Sequence, residues 1–243
     1  MPPAVIIPTY NESDNITRLL DEILALNLGA HIIVVDDNSP DGTGALVDAR
    51  AAQEPRVHAV HRPAKMGLGT AHIAGMRRAF ELNCEPIVTM DADFSHHPRY
   101  IPDLLAGLQN ADVMIGSRYV PGGGTRFFSR KRIILSAGAN SFARLMLGLR
   151  AHDCTAGFRA YRRAVLESID LNHIFSNGYS FLIEMLFLCQ RHGWRIGETP
   201  IIYEDRRAGK SKISRAEIAK ATYTVLRLFW RRARMFARQP ANP

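Results

Sequence analysis

Through the first 115 residues, short β-branched runs alternate with stretches whose apolar residues recur at helical spacing. A strand, a helix and another strand in succession require a crossover, and crossovers build parallel sheets covered by helices. Ala4-Val5-Ile6-Ile7 is the first such run. The turn-rich Pro8-Thr9-Tyr10-Asn11-Glu12 follows, and then Ile16, Leu19, Leu20, Ile23 and Leu24 repeat along one helical face. Ile32 to Val35 forms the second run and leads into Asp36-Asp37-Asn38. Ser39 as N-cap and Pro40 at the first helical position are expected to open a second helix there. Val57 to Val60, Ile87 to Met90 and Val113 to Ile115 are predicted strands, with helices near 66–82 and 97–109. The expected class is α/β with a mostly parallel sheet.

Open sheets of this kind bind ligands in the crevice beyond the carboxyl ends of their strands. Those ends carry Tyr10, Glu12, Asp37, Asp91 and Asp93, so polar chemistry converges on one edge. Beyond Gly116 the alternation stops. Ser117 to Arg132 is predicted to be a loop, made pliable by Pro121-Gly122-Gly123-Gly124 and suited to gating a substrate. Helical periodicity returns at 133–147 and 180–190.

The chain has 243 residues, 47% of them hydrophobic and 22% charged, which is enough to bury a full core and excludes a disordered composition. Cys84, Cys154 and Cys189 are odd in number and scattered, fitting neither a disulfide framework nor a zinc site, so a reducing, cytosolic compartment is expected. No basic-then-apolar leader precedes Ala4, and no apolar run reaches the roughly 18 residues of a membrane span.

The formal charge of +8 is unevenly placed. Between Ile213 and Arg238, Arg215, Lys220, Arg227, Arg231, Arg232, Arg234 and Arg238 face only Glu217. Ile218, Ala221, Val225, Leu228 and Phe229 recur among them at helical spacing, the pattern of a helix lying on an anionic lipid surface or meeting a partner. Docking of this helix on the domain itself and nucleic-acid contact are the rival readings. The expected organisation is a catalytic domain over 1–212 and a basic amphipathic tail over 213–243.

Asp91-Ala92-Asp93 follows directly on the apolar run Ile87 to Met90. Spacing by one residue puts both carboxylates on the same side of an extended segment, where a hard cation, Mg²⁺ or Mn²⁺, bridging to a diphosphate relieves their repulsion. An isolated Asp-x-Asp also ends ordinary strands. The second acidic strand end, Val34 to Thr43, supplies context: Asp37 is expected to contact a ligand and Asp41 to serve a helix start. Adjacent His96 and His97 would point apart and lack a third nitrogen partner, so they are assigned to supporting the groups around a metal site or to loop structure rather than to ligating it. Trp194 and Trp230 are expected to be core or interface anchors.

Taken together, Val5 to Glu12, Asp36 to Thr43, Gly67-Leu68-Gly69-Thr70-Ala71, Met90 to Pro98, Gly116-Ser117-Arg118-Tyr119, Asp153 to Arg159 and Gly209-Lys210-Ser211-Lys212 resemble the dolichol-phosphate (polyprenol monophosphate) mannose synthases. The resemblance implies a GT-A fold, GDP-mannose as donor, a divalent cation, and inverting transfer to polyprenyl (dolichyl) phosphate. It implies that Pro8, Tyr10, Glu12, Val35 and Asp37 hold the guanosine part, and that Asp91, Ala92 and Asp93 contact donor and metal. Ser95 stands where some relatives carry a metal-ligating glutamine, and its shorter hydroxyl would need a bridging water. Arg118, Arg206 and Lys212 fall at the family's phosphate- and donor-binding positions, where arginine forks match paired oxygens. Arg132 and Ser136, at the start of a helix, are placed with Arg118 to receive the acceptor phosphate.

A phosphate nucleophile is already an anion at neutral pH, so alignment and charge balance carry the reaction and Glu184 is given a positioning role rather than that of a base. Asp91, Asp93, Arg118 and Arg132 are the expected catalytic set. The protein is expected at the cytosolic face of a membrane, held peripherally, with room for a membrane-anchoring partner protein and no nucleic acid. Two rivals remain: transfer of glucose or another sugar from UDP to the same lipid, and a non-catalytic basic scaffold or nucleic-acid-binding protein whose acidic pair is structural.

Overall fold

In the computed structural model, which describes residues 1–204 and 215–236, Ile6, Ile33 and Val35 face one side of a sheet while Val5, Ile7, Ile32 and Val34 face the other. Strands buried on both faces are what helix-covered parallel sheets require. The elements run β1 (Ala4–Thr9), α1 (Ser13–Ala25), β2 (His31–Asp36), α2 (Thr43–Ala51), β3 (Val57–His61), α3 (Leu68–Glu81), β4 (Ile87–Thr89) and α4 (Ile101–Gly107). They continue with β5 (Val113–Ser117), β6 (Gly124–Arg126), α5 (Arg130–Leu147), β7 (Arg159–Tyr161), α6 (Arg163–Glu167), α7 (Tyr179–Arg191), β8 (Ile196–Pro200), β9 (Ile202–Glu204) and α8 (Arg215–Phe236). The main sheet has the order β3-β2-β1-β4-β7-β5-β8, and β6 pairs with β9 in a separate two-stranded sheet.

All pairings in the main sheet are parallel except those of β7, which runs antiparallel between β4 and β5. Periodicity gives no hint of β7 because its central feature is a buried cation. Arg159 is 0% exposed, and its guanidinium donates to the carbonyls of Ala156, Leu182 and Cys154 at 2.8, 2.9 and 3.0 Å. One core lies between the sheet and α3, α5, α7 and α8; the other lies under α1, α2 and α4. Gly75 brings α3 so close to β1 that a Cβ there would stand 2.3 Å from Ile6 Cγ2.

Three local expectations change. The second helix opens at Thr43 rather than Pro40, because Gly42 takes a left-handed φ of 87° and Asp41 accepts the Thr43 amide at 3.0 Å, making Ser39 to Gly42 a turn. The segment from Ser117 to Arg132 contains β6 and the first turn of α5. Helix α8 packs on α5 and α7, with Val225 and Leu228 buried and Ala221 and Phe229 partly so; its apolar row therefore meets the domain. The opposite side leaves Tyr223, Leu226 and Trp230 exposed. No helix among the described residues is long and apolar enough to cross a membrane.

His72 on α3 is 1% exposed and stacks on Phe181 with ring centroids 5.5 Å apart; neither ring nitrogen has a hydrogen-bond partner among the described residues. Burial, and then the nearby Arg159 charge, push its pKa down to about 3. An unfolded chain takes up that proton near the ordinary 6.5, so the stability it contributes is full above 6.5 and is lost as pH falls toward 3. Between pH 7 and pH 5 this group is expected to cost about 2 kcal/mol of unfolding free energy. Urea melts of His72→Leu at both pH values should show a loss smaller by about that amount; equal acid lability in variant and wild type would assign the effect elsewhere.

Candidate active site at the carboxyl edge of the sheet

Two acidic neighbours at the end of β2 turn opposite ways. The Asp36 carboxylate accepts the hydroxyls of Thr9 at 3.0 Å and Ser39 at 2.5 Å and the Ser39 amide at 2.9 Å. Further rungs join the loops after β1 and β2: the amides of Asn11, Glu12 and Ser13 donate to Ser39, Thr43 and Asp41, each at 3.0 Å. Asp37 faces the other way. Its Oδ1 lies 2.9 Å from Arg62 Nη1, and its Oδ2 accepts the amides of Met66 and Gly67 at 3.1 and 3.2 Å. Both side chains of this pair are 7% exposed, and Arg62 also donates to Thr70 Oγ1 at 2.6 Å. Asp37, expected beside guanosine, thus fastens the loop that opens α3.

The other expected donor contacts divide. Tyr10 is half-buried with the Lys65 ammonium 3.9 Å above its ring, Pro8 is half-buried, and Glu12 is buried with Oε2 accepting from Asn15 at 3.0 Å. Val35 has no exposed surface and its side chain lies toward Gly75 of α3, so it backs the crevice without lining it.

Asp91 and Asp93, just beyond β4, are half-exposed on either side of buried Ala92. Phe94 adopts a left-handed φ of 59°, a strained conformation for a phenylalanine. That bend lets the Ser95 amide and hydroxyl fold back onto Asp93 Oδ1 at 3.1 and 2.5 Å. Ser95 is 1% exposed, so its hydroxyl orients Asp93. The Asp91 amide donates to Nδ1 of buried His96 at 3.2 Å. His96 stacks on Phe158 at 5.2 Å and meets the Tyr203 ring edge-on at 5.3 Å.

The donor set suits a hard cation. Two half-exposed carboxylates leave further coordination positions to ligand oxygens and water, as Mg²⁺ and Mn²⁺ tolerate. Among the described residues no group of three or more His, Cys, Asp and Glu side chains forms a closed cage of the kind zinc takes. Tyr203 senses the same charge: burial, then Asp91 and Asp93, push its phenol pKa up, while neighbouring Ser95 pulls it down in part.

Arg118, expected at the acceptor phosphate, follows β5. Its Nε and Nη2 grip the two oxygens of Asp153, each at 2.7 Å, and Nη2 donates to Thr155 at 2.8 Å. The side chains are 10% and 0% exposed. Burial opposes both charges, but each ion's attraction for the other outweighs it, holding Arg118 more firmly protonated and Asp153 below the usual carboxylate range. Glu198 of β8 fixes this turn by accepting the His152 and Asp153 amides at 2.7 and 3.0 Å. Tyr119 donates its hydroxyl to Ser136 at 2.7 Å, and the Arg132 guanidinium lies 4.0 Å over the Phe128 ring. Arg206 and Lys212 lie outside the described residues. Buried Glu184 accepts the amide of Ser176 at 2.9 Å and its hydroxyl, which steadies the turn whose Asn177 receives the Gly69 amide at 3.3 Å.

Contacts therefore run continuously from Asp91, Asp93 and Ser95 to Arg118, Arg132 and Ser136. Sequence reasoning missed Arg62, Asp153, Asn177 and Tyr203 as members. Two of them carried a signal: Asp153 opens the motif Asp153 to Arg159, and Tyr203 ends the apolar run Ile201-Ile202-Tyr203 after Pro200.

A mostly parallel sheet with one reversed strand, and an acidic pair just past the strand beside β1, define a GT-A glycosyltransferase. The chain belongs to glycosyl transferase family 2, whose sequence profile matches residues 4–170. It is 45% identical over 223 residues to polyprenol monophosphomannose synthase of Mycolicibacterium smegmatis, covering 91% of this chain and 84% of that one. It is also 45% identical over 222 residues to undecaprenyl-phosphate mannosyltransferase of Micrococcus luteus, covering 91% of each. Glucosyl-3-phosphoglycerate synthase of Mycobacterium tuberculosis, solved with Mn²⁺, UDP and glucosyl-3-phosphoglycerate, shares the fold. That likeness has a TM-score of 0.66 at 22% identity and covers 94% of this chain and 80% of that one.

Removing one member of a buried ion pair strands the other charge. Asp153→Ala is expected to lower the unfolding free energy by about 3–5 kcal/mol, measured by denaturant titration. A loss below about 1 kcal/mol, typical of surface pairs, would mean that the pair is hydrated in solution.

Proposed function

We propose that this chain transfers mannose from GDP-mannose to polyprenyl phosphate, with inversion, at the cytosolic surface of a membrane. The acidic pair carries this reading: Asp91 and Asp93 stand half-exposed just past β4, held in place through His96 and Ser95. The two 45%-identical relatives, both named as polyprenyl-lipid mannosyl enzymes, support the acceptor and the sugar. Asp91 and Asp93 would hold Mg²⁺ or Mn²⁺, which neutralises charge on the departing diphosphate.

The chain's own residues supply alignment. Loops stitched at Asp36, Ser39 and Thr43 form the floor for the nucleoside, and Tyr10 offers a ring face. Arg118 and Arg132, the latter at the opening of α5, offer positive charge to the lipid phosphate, so that its oxygen meets the sugar carbon opposite the leaving group. Arg206 and Lys212 belong to the same proposal as further donor-phosphate cations. No side chain needs to remove a proton from an acceptor that is already ionised.

A membrane position is supported by what two helices in contact, α5 and α8, leave exposed. Ile133, Ile134, Leu135 and Leu145 of α5 and Tyr223, Leu226 and Trp230 of α8 are exposed, as are Arg130 of α5 and Lys220, Arg227 and Arg231 of α8. Exposed apolar side chains and cations on the same helices suit an anionic lipid surface.

Labelled GDP-mannose and a polyprenyl phosphate should give lipid-linked mannose that a chelator abolishes, and Asp93→Asn should reduce the rate by about a thousandfold or more. Because the solved relative holds UDP, UDP-glucose is the control donor; product from it alone would end the mannose reading. On vesicles containing phosphatidylglycerol, the double variant Ile134→Glu, Leu145→Glu should sediment with affinity reduced about tenfold while turning over a short-chain acceptor. Unchanged sedimentation would move the lipid contact elsewhere.

A further inference from the structure

We propose that Tyr203 is a positioning residue that sets the span between the acidic pair and the acceptor cations, its ring fixing the acceptor side and its hydroxyl the orientation of Asp93. The inference rests on the functional reading above and names a residue that the reading does not use.

The placement of Tyr203 is the observation. Strand β9 pairs in parallel with β6, in register Thr125↔Tyr203, so its backbone edge holds the glycine-rich segment after β5. Glu204 reinforces that edge with an ion pair to Arg126 at 3.3 Å, and the Ile202 amide donates to Tyr100 Oη at 3.1 Å. The ring itself touches three separate parts of the site. It meets His96, the partner of Asp91, at 5.3 Å; it meets Phe128, on which Arg132 lies, at 5.5 Å; and the Arg118 guanidinium stands 5.3 Å from its centroid. The phenol lies beside Ser95, whose hydroxyl holds Asp93 Oδ1.

A tyrosine that merely filled space would be surrounded by aliphatic side chains and would have one role. Tyr203 joins groups from the acidic turn, the end of β5 and the start of α5, so a shift of its ring moves Phe128, and with it Arg132, relative to Asp91. Ring and hydroxyl should therefore be separable. Loss of the ring loosens the acceptor side, and loss of the hydroxyl loosens Asp93.

The test uses the full chain with three single variants and one double. Steady-state rates are measured with donor and acceptor varied separately, and Mn²⁺ affinity in the presence of GDP is read by electron paramagnetic resonance without turnover. Tyr203→Phe should weaken Mn²⁺ binding about threefold to tenfold and keep the acceptor KM within about twofold of wild type. Tyr203→Leu and Phe128→Leu should each raise the acceptor KM about tenfold while the donor KM moves less than about threefold. The double leucine variant should be no more than about twofold worse than the worse single variant, because both remove one shared contact. Multiplicative effects, equal shifts in donor and acceptor KM, or failure of phenylalanine at 203 to retain the acceptor KM would overturn the proposal. If Tyr203→Leu does not fold, Phe128→Leu made in wild-type and Tyr203→Phe backgrounds carries the test: the acceptor effect should be the same in both, and a difference would overturn it. A wild-type protein that transfers no mannose would fail the functional reading, whereas the Mn²⁺ titration would still judge the hydroxyl.

Discussion

Two carboxylates one residue apart at a strand end repel each other, and much of the surrounding structure serves to hold them in place. The left-handed Phe94 turns the chain so that Ser95 reaches back to Asp93, and His96 receives the Asp91 amide. Parallel strands buried on both faces give this turn a rigid base. The negative charge is thereby fixed in position before any ligand arrives, which is the preorganisation that the proposed cation and diphosphate would use. A second electrostatic arrangement, the Arg118–Asp153 pair, is anchored to β8 through Glu198.

The first half of the fold was legible because helix-covered parallel strands declare themselves as apolar runs. Strand β7 was illegible because it is three residues long and is built around Arg159, a residue that pattern reading sends to the surface. The two-stranded β6–β9 sheet was hidden for a different reason. Pairing between residues nearly eighty positions apart leaves no local trace, and glycines in β6 argued for a loop. At the site, the acidic pair stood out by position, whereas the partners of its neighbours did not. Asp36 and Asp37 are indistinguishable as letters, and only geometry shows that one stitches two loops while the other grips Arg62. Asp153 and Tyr203 enter through contacts made across long stretches of chain.

The tail teaches a related lesson. An amphipathic pattern specifies that one face is covered and is silent about what covers it. Val225 and Leu228 turned inward onto the domain, which leaves Tyr223 and Trp230 of the opposite face exposed. What covers an apolar row is decided by the helices it meets, here α5 and α7, and these lie far off in sequence.

The small β6–β9 sheet has an energetic consequence. The excursion between β5 and α5 is pinned near its midpoint, so it fluctuates as two short arcs instead of one long one. Each backbone residue already ordered removes about 1–2 kcal/mol from the entropy that a closing loop must surrender. A glycine-rich segment, ordinarily the most expensive kind of chain to immobilise, thus has part of its ordering done in advance by a strand from the far end of the domain.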